Sequence, residues 1–293
     1  MKFCLPLLLA VAAQAHGAQS SCADDWLCIE VQQAGDGVEL RAVNLKQYPL
    51  TFSLRARGRD WQAAGSRSIT ETLAPLAART VMHLEPVDPA RHGNFSYYYE
   101  WAIGDMAARH DDDTLYLLPY APGTSYRVLQ GFGSRFSHTG NEQYAVDFKM
   151  QVGTPVHAAR GGIVARVVES HSIGCWDARC ADSANFIVIL HDDGTTGEYY
   201  HLMKDGALVE PGDRVRAGQK IGLSGNTGHT ALPHLHFAVY RAASWGSTQS
   251  LPVRFLSADG IVSSPRRGGR YLATLPDPGR DGAATKTISG SPD

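Results

Sequence analysis

Several histidines and one aspartate of this chain, which are residue types that bind metal ions, lie on segments predicted to be β-strands. The segment PHLHFAVY (233–240) alternates in polarity, which predicts a strand with His234 and His236 on one face. Two imidazoles two positions apart on a strand lie side by side, close enough to act on one metal ion or one substrate atom. His201 ends another predicted strand, and Asp147 lies in the middle of the short apolar strand YAVDF.

The position of Asp147 is informative because an ionised carboxylate in an apolar strand is costly unless a positive charge compensates it. A metal ion is one such partner. A lone strand histidine is more often structural than a ligand. One aspartate and several histidines on strands of a single domain, however, together predict a metal centre with three protein ligands and an open position for water.

The elements that must position these residues are strands as well. The segment NFIVILHDDGTTGEYYHL (185–202) predicts a hairpin about the Asp193–Gly194 turn. Two further segments, GTPVHAARGGIVARVV (153–168) and VEPGDRVRAGQKIGLSG (209–225), share one rhythm of Gly-led turns and apolar runs. They predict an internally duplicated β-sheet, since no fixed period repeats three times.

Composition divides the chain into four parts. Residues 22–120 alternate as short strands between turn-rich stretches and predict a small β-sandwich accessory domain. Residues 121–262 follow as a second strand-rich part, which contains the histidines and the aspartate described above. Residues 263–293 are predicted to be a mostly disordered tail. Residues 1–18 have a lysine, a short apolar run and small residues, which predicts an export signal peptide.

The cysteines beyond the predicted signal fall in two close pairs, Cys22 with Cys28 and Cys175 with Cys180. An even number of cysteines in short local loops of an exported chain predicts two disulfides. A metal site built from all four is the alternative, but neither pair has the two-residue spacing usual for zinc knuckles.

Charge and hydropathy exclude other classes of function. The chain has 27 basic and 29 acidic residues, so we expect no nucleic-acid-binding surface. Beyond the predicted signal, no apolar segment is long enough for a membrane span.

A family resemblance is carried by motifs that occur in order over about residues 125–245. The chain resembles the lysostaphin-type (LytM-like) zinc metallopeptidases, the peptidoglycan endopeptidase family, in AVDF, GTPVHAARGGIV, YYHL, VEPGDRVRAGQKIGLSGNTG and PHLHF. The resemblance implies an all-β protein in which the N-terminal β-sandwich is followed by an antiparallel β-sheet metallopeptidase domain of the duplicated-hybrid-motif type.

The resemblance also implies an activity and residue roles. Asp147 and His236 correspond to zinc ligands, and His201 and His234 to the catalytic pair that orients the water and accepts its proton. One Zn²⁺ per chain would activate water to cleave peptidoglycan peptide cross-links. We therefore expect an exported zinc metalloendopeptidase, periplasmic or extracellular; the partner of its N-terminal domain stays unknown.

The chain departs from the commonest family pattern at the first ligand. That pattern, HxxxD, would place a histidine at position 143, where this chain has Gln143, and an amide oxygen is a poor zinc ligand. Either the centre lacks a ligand or His138 supplies it. We expect His138, which requires the intervening loop to reverse, because nine extended residues span roughly 30 Å.

Two other functions remain open. A catalytically inactive relative would bind the wall or activate an amidase, although such a protein is expected to lose several ligands and here only one is in question. A biotinyl-type carrier is the other alternative, since FKM (148–150) resembles an acceptor turn in which Lys149 would bear the cofactor.

Overall fold

The computed structural model describes residues 19–90 and 93–275 and consists almost entirely of β-strands, which confirms the predicted all-β class. It divides into two compact units. Among the described residues, the first unit contains those up to 106 together with 242–248, and the second contains 107–241 and 249–275. The predicted domain limits stay predictions, and the predicted signal peptide (1–18) lies outside the described residues.

The first unit is a β-sandwich of two antiparallel sheets, ordered β1-β2-β3-β7-β5 and β6-β4-β8. Leu40 and Leu54 are fully buried, whereas Arg41 and Arg55 next to them are partly exposed, as the alternating sequence predicts. Its strands are β1 (Gln19–Ala23), β2 (Leu27–Ala34), β3 (Gly37–Asn44), β4 (Leu50–Arg57), β5 (Trp61–Ala63), β6 (Ser68–Leu73), β7 (Ala78–Pro86) and β8 (Ser96–Ile103).

The second unit is built around one large sheet, ordered β18-β13-β15-β16-β21-β11-β10-β25, with smaller sheets beside it. Short 3-10 helices occur at Gly140–Glu142 and Ala178–Ser183. Its strands are β9 (Leu115–Leu117), β10 (Ser125–Gln130), β11 (Val146–Phe148), β12 (Pro155–His157), β13 (Gly162–Val168), β14 (Gly174–Cys175), β15 (Phe186–Leu190), β16 (Thr196–Tyr200), β17 (Leu202–Ala207), β18 (Arg214–Val215), β19 (Lys220–Ser224), β20 (Gly228–His229), β21 (Leu235–Ala242), β22 (Thr248–Leu251), β23 (Arg254–Ser257), β24 (Gly260–Val262) and β25 (Arg270–Leu272).

The two similar segments noted in the sequence pair with each other crosswise. β12 of the first segment pairs with β19 of the second, and β13 of the first pairs with β18 of the second. Each segment therefore contributes one strand to the large sheet and one to a smaller sheet, so the duplication is a feature of the fold.

The core of the second unit lies behind the central strands β11 and β21. Val146, Phe148, Leu235 and Phe237 are buried in one hydrophobic cluster. This packing fixes which way each strand faces, because successive side chains point to opposite sides, and it turns Asp147 and His236 away from the core.

Beyond residue 262 the described chain continues to residue 275. β25 (Arg270–Leu272) lies in the part predicted as a mostly disordered tail and pairs with β10, so regular structure extends past the predicted domain end. Residues 276–293 lie outside the described residues.

Both predicted disulfides are present, Cys22–Cys28 in the first unit and Cys175–Cys180 in the second. Within residues 19–90 and 93–275, no helix has the length and apolar character to cross a membrane.

Candidate metal centre

Three side chains of the second unit bring potential metal-binding atoms together. One ligand atom each from His138, Asp147 and His236 lies within 4.8 Å of the others. His138 and Asp147 are buried, and His236 is partly buried. No other group of this kind occurs among the described residues.

Strand register brings Asp147 and His236 together. β11 pairs with β21 so that these two residues are directly opposite. Nδ1 of His236 is 2.9 Å from Oδ1 of Asp147. On the other side, β10 places Gln130 opposite Asp147, and the Gln130 amide donates a 2.7 Å hydrogen bond to Oδ2. One carboxylate oxygen is thereby held while the other faces the histidines.

His138 reaches the centre because the following loop reverses. Gly140, at a φ of +57°, begins the 3-10 turn Gly140–Glu142, and the amide of Ala145 closes the next turn on the Glu142 carbonyl. A left-handed φ is adopted readily by glycine. The turn leaves Gln143 exposed and brings the buried His138 ring to 3.3 Å from Asp147.

The environment of His138 suits a metal ligand. Its Nδ1 donates to the Gly131 carbonyl at 3.3 Å, so in the neutral ring Nε2 carries the lone pair. That buried Nε2 has no hydrogen-bond partner, although it lies 3.3 Å from Oδ1 of Asp147. A buried lone pair that faces a carboxylate is unfavourable by itself, and a cation between the two would satisfy both.

The other ring nitrogen of His236 contacts a tyrosine that is itself hydrogen-bonded to a glutamate. Its Nε2 is 3.2 Å from the Tyr240 hydroxyl, which donates a 2.5 Å hydrogen bond to Glu142. Nδ1 is therefore the nitrogen that His236 presents to Asp147 and His138.

His201 and His234 line the same site without belonging to the ligand group. Nδ1 of His234 donates to the Leu232 carbonyl at 2.8 Å, which leaves Nε2 3.8 Å from Oδ1 of Asp147. Nδ1 of His201 donates to the Thr227 carbonyl at 2.7 Å. The two rings are 4.5 Å apart between centroids, and His201 adopts a φ of +65°, an uncommon conformation for a residue other than glycine.

Burial and mutual proximity keep this histidine pair neutral. Burial, with contributions from His234 and His236, lowers the pKa of His201 to about 3. Burial also lowers the pKa of His234, and the charge of Asp147 partly offsets it. Both rings can thus offer an uncharged Nε2 at neutral pH.

In contrast to the neutral His201–His234 pair, Asp147 and His236 are stabilised in their charged forms. Burial disfavours both charges, but hydrogen bonds and charges from Asp147 and Glu142 raise the pKa of His236 to about 10. His138 and His236 hold the pKa of Asp147 well below its usual range despite its burial. The ionised Asp147 carboxylate is thus paired with protonated His236, and a metal ion bound here would replace the proton of His236.

The donor set fits zinc. Two imidazole nitrogens and one carboxylate oxygen are the ligand types that catalytic zinc sites use, with a fourth position left for water. His138, Asp147 and His236 would hold the ion. His201 and His234 lie beside it, where groups that act on water or substrate are needed.

The structure brings together all five residues that the sequence indicated for this centre. Two other histidines are engaged elsewhere: His157 and His191 donate from Nδ1 to the carbonyls of Gly218 and Gly161.

Sequence reasoning missed Gln130, Glu142 and Tyr240. Only Tyr240 had a usable signal, since it lies four residues after His236 on the same face of β21. The roles of Gln130 and Glu142 depend on strand register and on the course of the loop.

Comparison with known proteins gives a family match within the second unit. Residues 141–249 match the model of peptidase family M23. The matched segment includes Asp147, His201, His234 and His236, whereas His138 precedes it.

Curated relatives of this segment include two proteins that are named as endopeptidases. The glycyl-glycine endopeptidase ALE-1 of Staphylococcus capitis is 37% identical over 142 residues, 48% of this chain and 36% of the relative. Lysostaphin of Staphylococcus simulans is 34% identical over 53% of this chain and 28% of its own length. The peptidoglycan DD-endopeptidase ShyA of Vibrio cholerae is 34% identical over 40% of this chain and 26% of its own. The chain therefore spans only about a quarter to a third of the length of these relatives.

Among solved structures, the catalytic domain of lysostaphin from Staphylococcus simulans is similar at 29% identity. The alignment covers 48% of this chain and 95% of that domain, with a TM-score of 0.30.

Proposed function

Because residues 141–249 form a peptidase family M23 domain, we propose that the protein is a zinc metalloendopeptidase that hydrolyses peptide cross-links of bacterial peptidoglycan. The observation that carries the proposal is the arrangement of five side chains. Three converge on one point with ligand atoms, and two present uncharged imidazole nitrogens beside that point. A wall-binding or amidase-activating relative without activity would have no use for the second pair.

The proposed chemistry assigns a role to each group. When bound, zinc supplies a Lewis acid that lowers the pKa of a coordinated water and polarises the scissile carbonyl. His138, Asp147 and His236 hold the ion, and Gln130 fixes the free oxygen of Asp147.

His201 and His234 act on the proton and on the developing charge. Each ring donates from Nδ1 to a backbone carbonyl, so each keeps a lone pair on Nε2, and that of His234 lies 3.8 Å from Oδ1 of Asp147. One Nε2 accepts the proton of the attacking water, and the resulting imidazolium stabilises the oxyanion of the tetrahedral intermediate.

The relatives support the proposed substrate, and the cysteines support the proposed location. ALE-1 is named as a glycyl-glycine endopeptidase and ShyA as a peptidoglycan endopeptidase, which supports a peptidoglycan peptide as substrate. Two disulfides support an oxidising compartment, periplasmic or extracellular, in agreement with the predicted export signal.

The test separates metal binding from catalysis. We expect about one zinc per chain and the release of monomeric muropeptides from cross-linked peptidoglycan by the wild type. His236→Ala should lose both zinc and hydrolysis. His201→Ala and His234→Ala should keep zinc and lose hydrolysis, because these residues are not ligands.

His83→Ala is the matched control, since His83 is an exposed histidine of the first unit and should change neither property. A wild-type protein that binds no zinc and leaves cross-links intact would refute the proposal in favour of the inactive wall-binding or amidase-activating function. Loss of zinc in His201→Ala with retention in His236→Ala would overturn the division of roles.

A further inference from the structure

We propose that Glu142 and Tyr240 are positioning residues that fix the orientation and tautomer of the metal ligand His236. The inference rests on the proposed zinc centre. It assigns a function to the Gly140–Glu142 turn besides the delivery of His138.

The direction of the hydrogen bonds follows from the short contact between Tyr240 and Glu142. The Tyr240 hydroxyl lies 2.5 Å from Oε2 of Glu142, and an ionised carboxylate can only accept, so the hydroxyl proton points to Glu142. The Tyr240 oxygen is then free to accept, and it lies 3.2 Å from Nε2 of His236. Nε2 of His236 therefore donates.

Because Nε2 keeps its proton in this chain of hydrogen bonds, Nδ1 of His236 is the nitrogen that gives up its proton and offers a lone pair when zinc binds. Nδ1 is the atom that faces Asp147 at 2.9 Å and belongs to the ligand group. A carboxylate behind a ligand imidazole raises its basicity and prevents the ring from turning, as partners of metal-bound histidines do in many proteins. Here Tyr240 transmits the effect, because Glu142 itself is 3.6 Å from Nε2.

One strand and one loop bring the two residues to this place. Tyr240 lies on the same face of β21 as His236, and it is 2% exposed. Glu142 ends the 3-10 turn that follows His138, so one loop contributes a ligand and the group behind a second ligand.

The neighbouring strand provides a matched control. Tyr200 on β16 is directly opposite His236 and donates a 2.7 Å hydrogen bond to the buried Glu198. This pair repeats the tyrosine–glutamate contact in the same region. Among the described contacts, however, its polar atoms make no hydrogen bond to His236.

The experiment measures zinc affinity of the full chain by competition with a chromophoric chelator. We expect Tyr240→Phe and Glu142→Gln to raise the Kd for zinc by about 10- to 100-fold. Tyr200→Phe and Glu198→Gln should stay within about threefold of the wild type, because they remove a similar hydroxyl or charge nearby that makes no hydrogen bond to His236, and Tyr200→Phe keeps the ring that packs against it. Equal losses in both pairs would overturn the proposal, since they would indicate a general effect of charge or packing.

A second readout tests the tautomer directly. With Co²⁺ in place of zinc, the Nε2 proton of His236 should give a paramagnetically shifted NMR signal that exchanges slowly with water in the wild type and in Tyr200→Phe. Faster exchange or loss of that signal is expected in Tyr240→Phe, which removes only one hydroxyl and should fold. An unchanged signal would refute the positioning role. A wild type that binds neither metal would instead refute the zinc centre itself.

Discussion

The replacement of His138 by alanine tests how this chain completes its metal centre. The buried His138 ring offers a partnerless Nε2 to the same point as Asp147 and His236, whereas the Gln143 side chain is exposed and outside the ligand group. We therefore expect His138→Ala to weaken zinc binding strongly. Gln143→Ala should leave it within about threefold of the wild type, as a surface substitution next to the site.

The magnitude follows from the number of ligands. Structural zinc sites with four ligands bind with about 10–16 kcal/mol near neutral pH, so one ligand contributes on average about 2.5–4 kcal/mol. His138 is one of three protein ligands here, and its loss should raise the Kd for zinc by about 10²- to 10³-fold. At a free zinc concentration above both Kd values, the zinc-dependent gain in the free energy of unfolding should fall by the same amount.

The assay compares each variant with and without zinc. Removal of a buried ring also leaves a cavity, and its cost is present in both states, so only the difference between the zinc-loaded and zinc-free unfolding free energies reports on ligation. Urea unfolding of wild type, His138→Ala and Gln143→Ala, each with zinc and with chelator, gives this difference. The assignment is refuted if His138→Ala keeps the full zinc-dependent gain while Gln143→Ala loses it.

Other expectations concern the surroundings of the centre and the stability of the domain. Gln130→Leu removes the donor to Oδ2 of Asp147 and should raise the Kd for zinc by about tenfold in the chelator competition; an unchanged Kd would exclude an orienting role. Burial, followed by the charge of Arg160, lowers the pKa of His191 to about 4, so between pH 4 and 6.5 the unfolded chain binds more protons. The free energy of unfolding should therefore fall by up to about 3 kcal/mol as the pH drops from 6.5 to 4, and His191→Gln should show a flatter profile in urea titrations; equal slopes would contradict this. Replacement of Cys175 and Cys180 by serine opens a loop of sequence separation 5 and should lower the free energy of unfolding by about 2 kcal/mol, and a loss near zero would indicate that the loop is held by other contacts.

The sequence alone determined the fold class and much of the candidate site. Period-two alternation identified β21 and placed His236 on the face opposite Leu235 and Phe237. It also put His234, which directly precedes the strand, on the side of His236. The spacing of the cysteines identified both disulfides, because each cysteine has one other cysteine only five or six positions away in the sequence. These features depend on local geometry, which neighbouring residues decide.

Only the tertiary structure decided which distant residues meet. The register of β11 on β21 brings Asp147 opposite His236, 89 positions away, and alternation fixes the face of a strand but not its partner. The reversal after His138 depends on the turn at Gly140 and on contacts of the loop with the sheet. Glu142 joins the site for the same reason: the free energy that orders a loop comes from packing and hydrogen bonds that form only once the sheet exists.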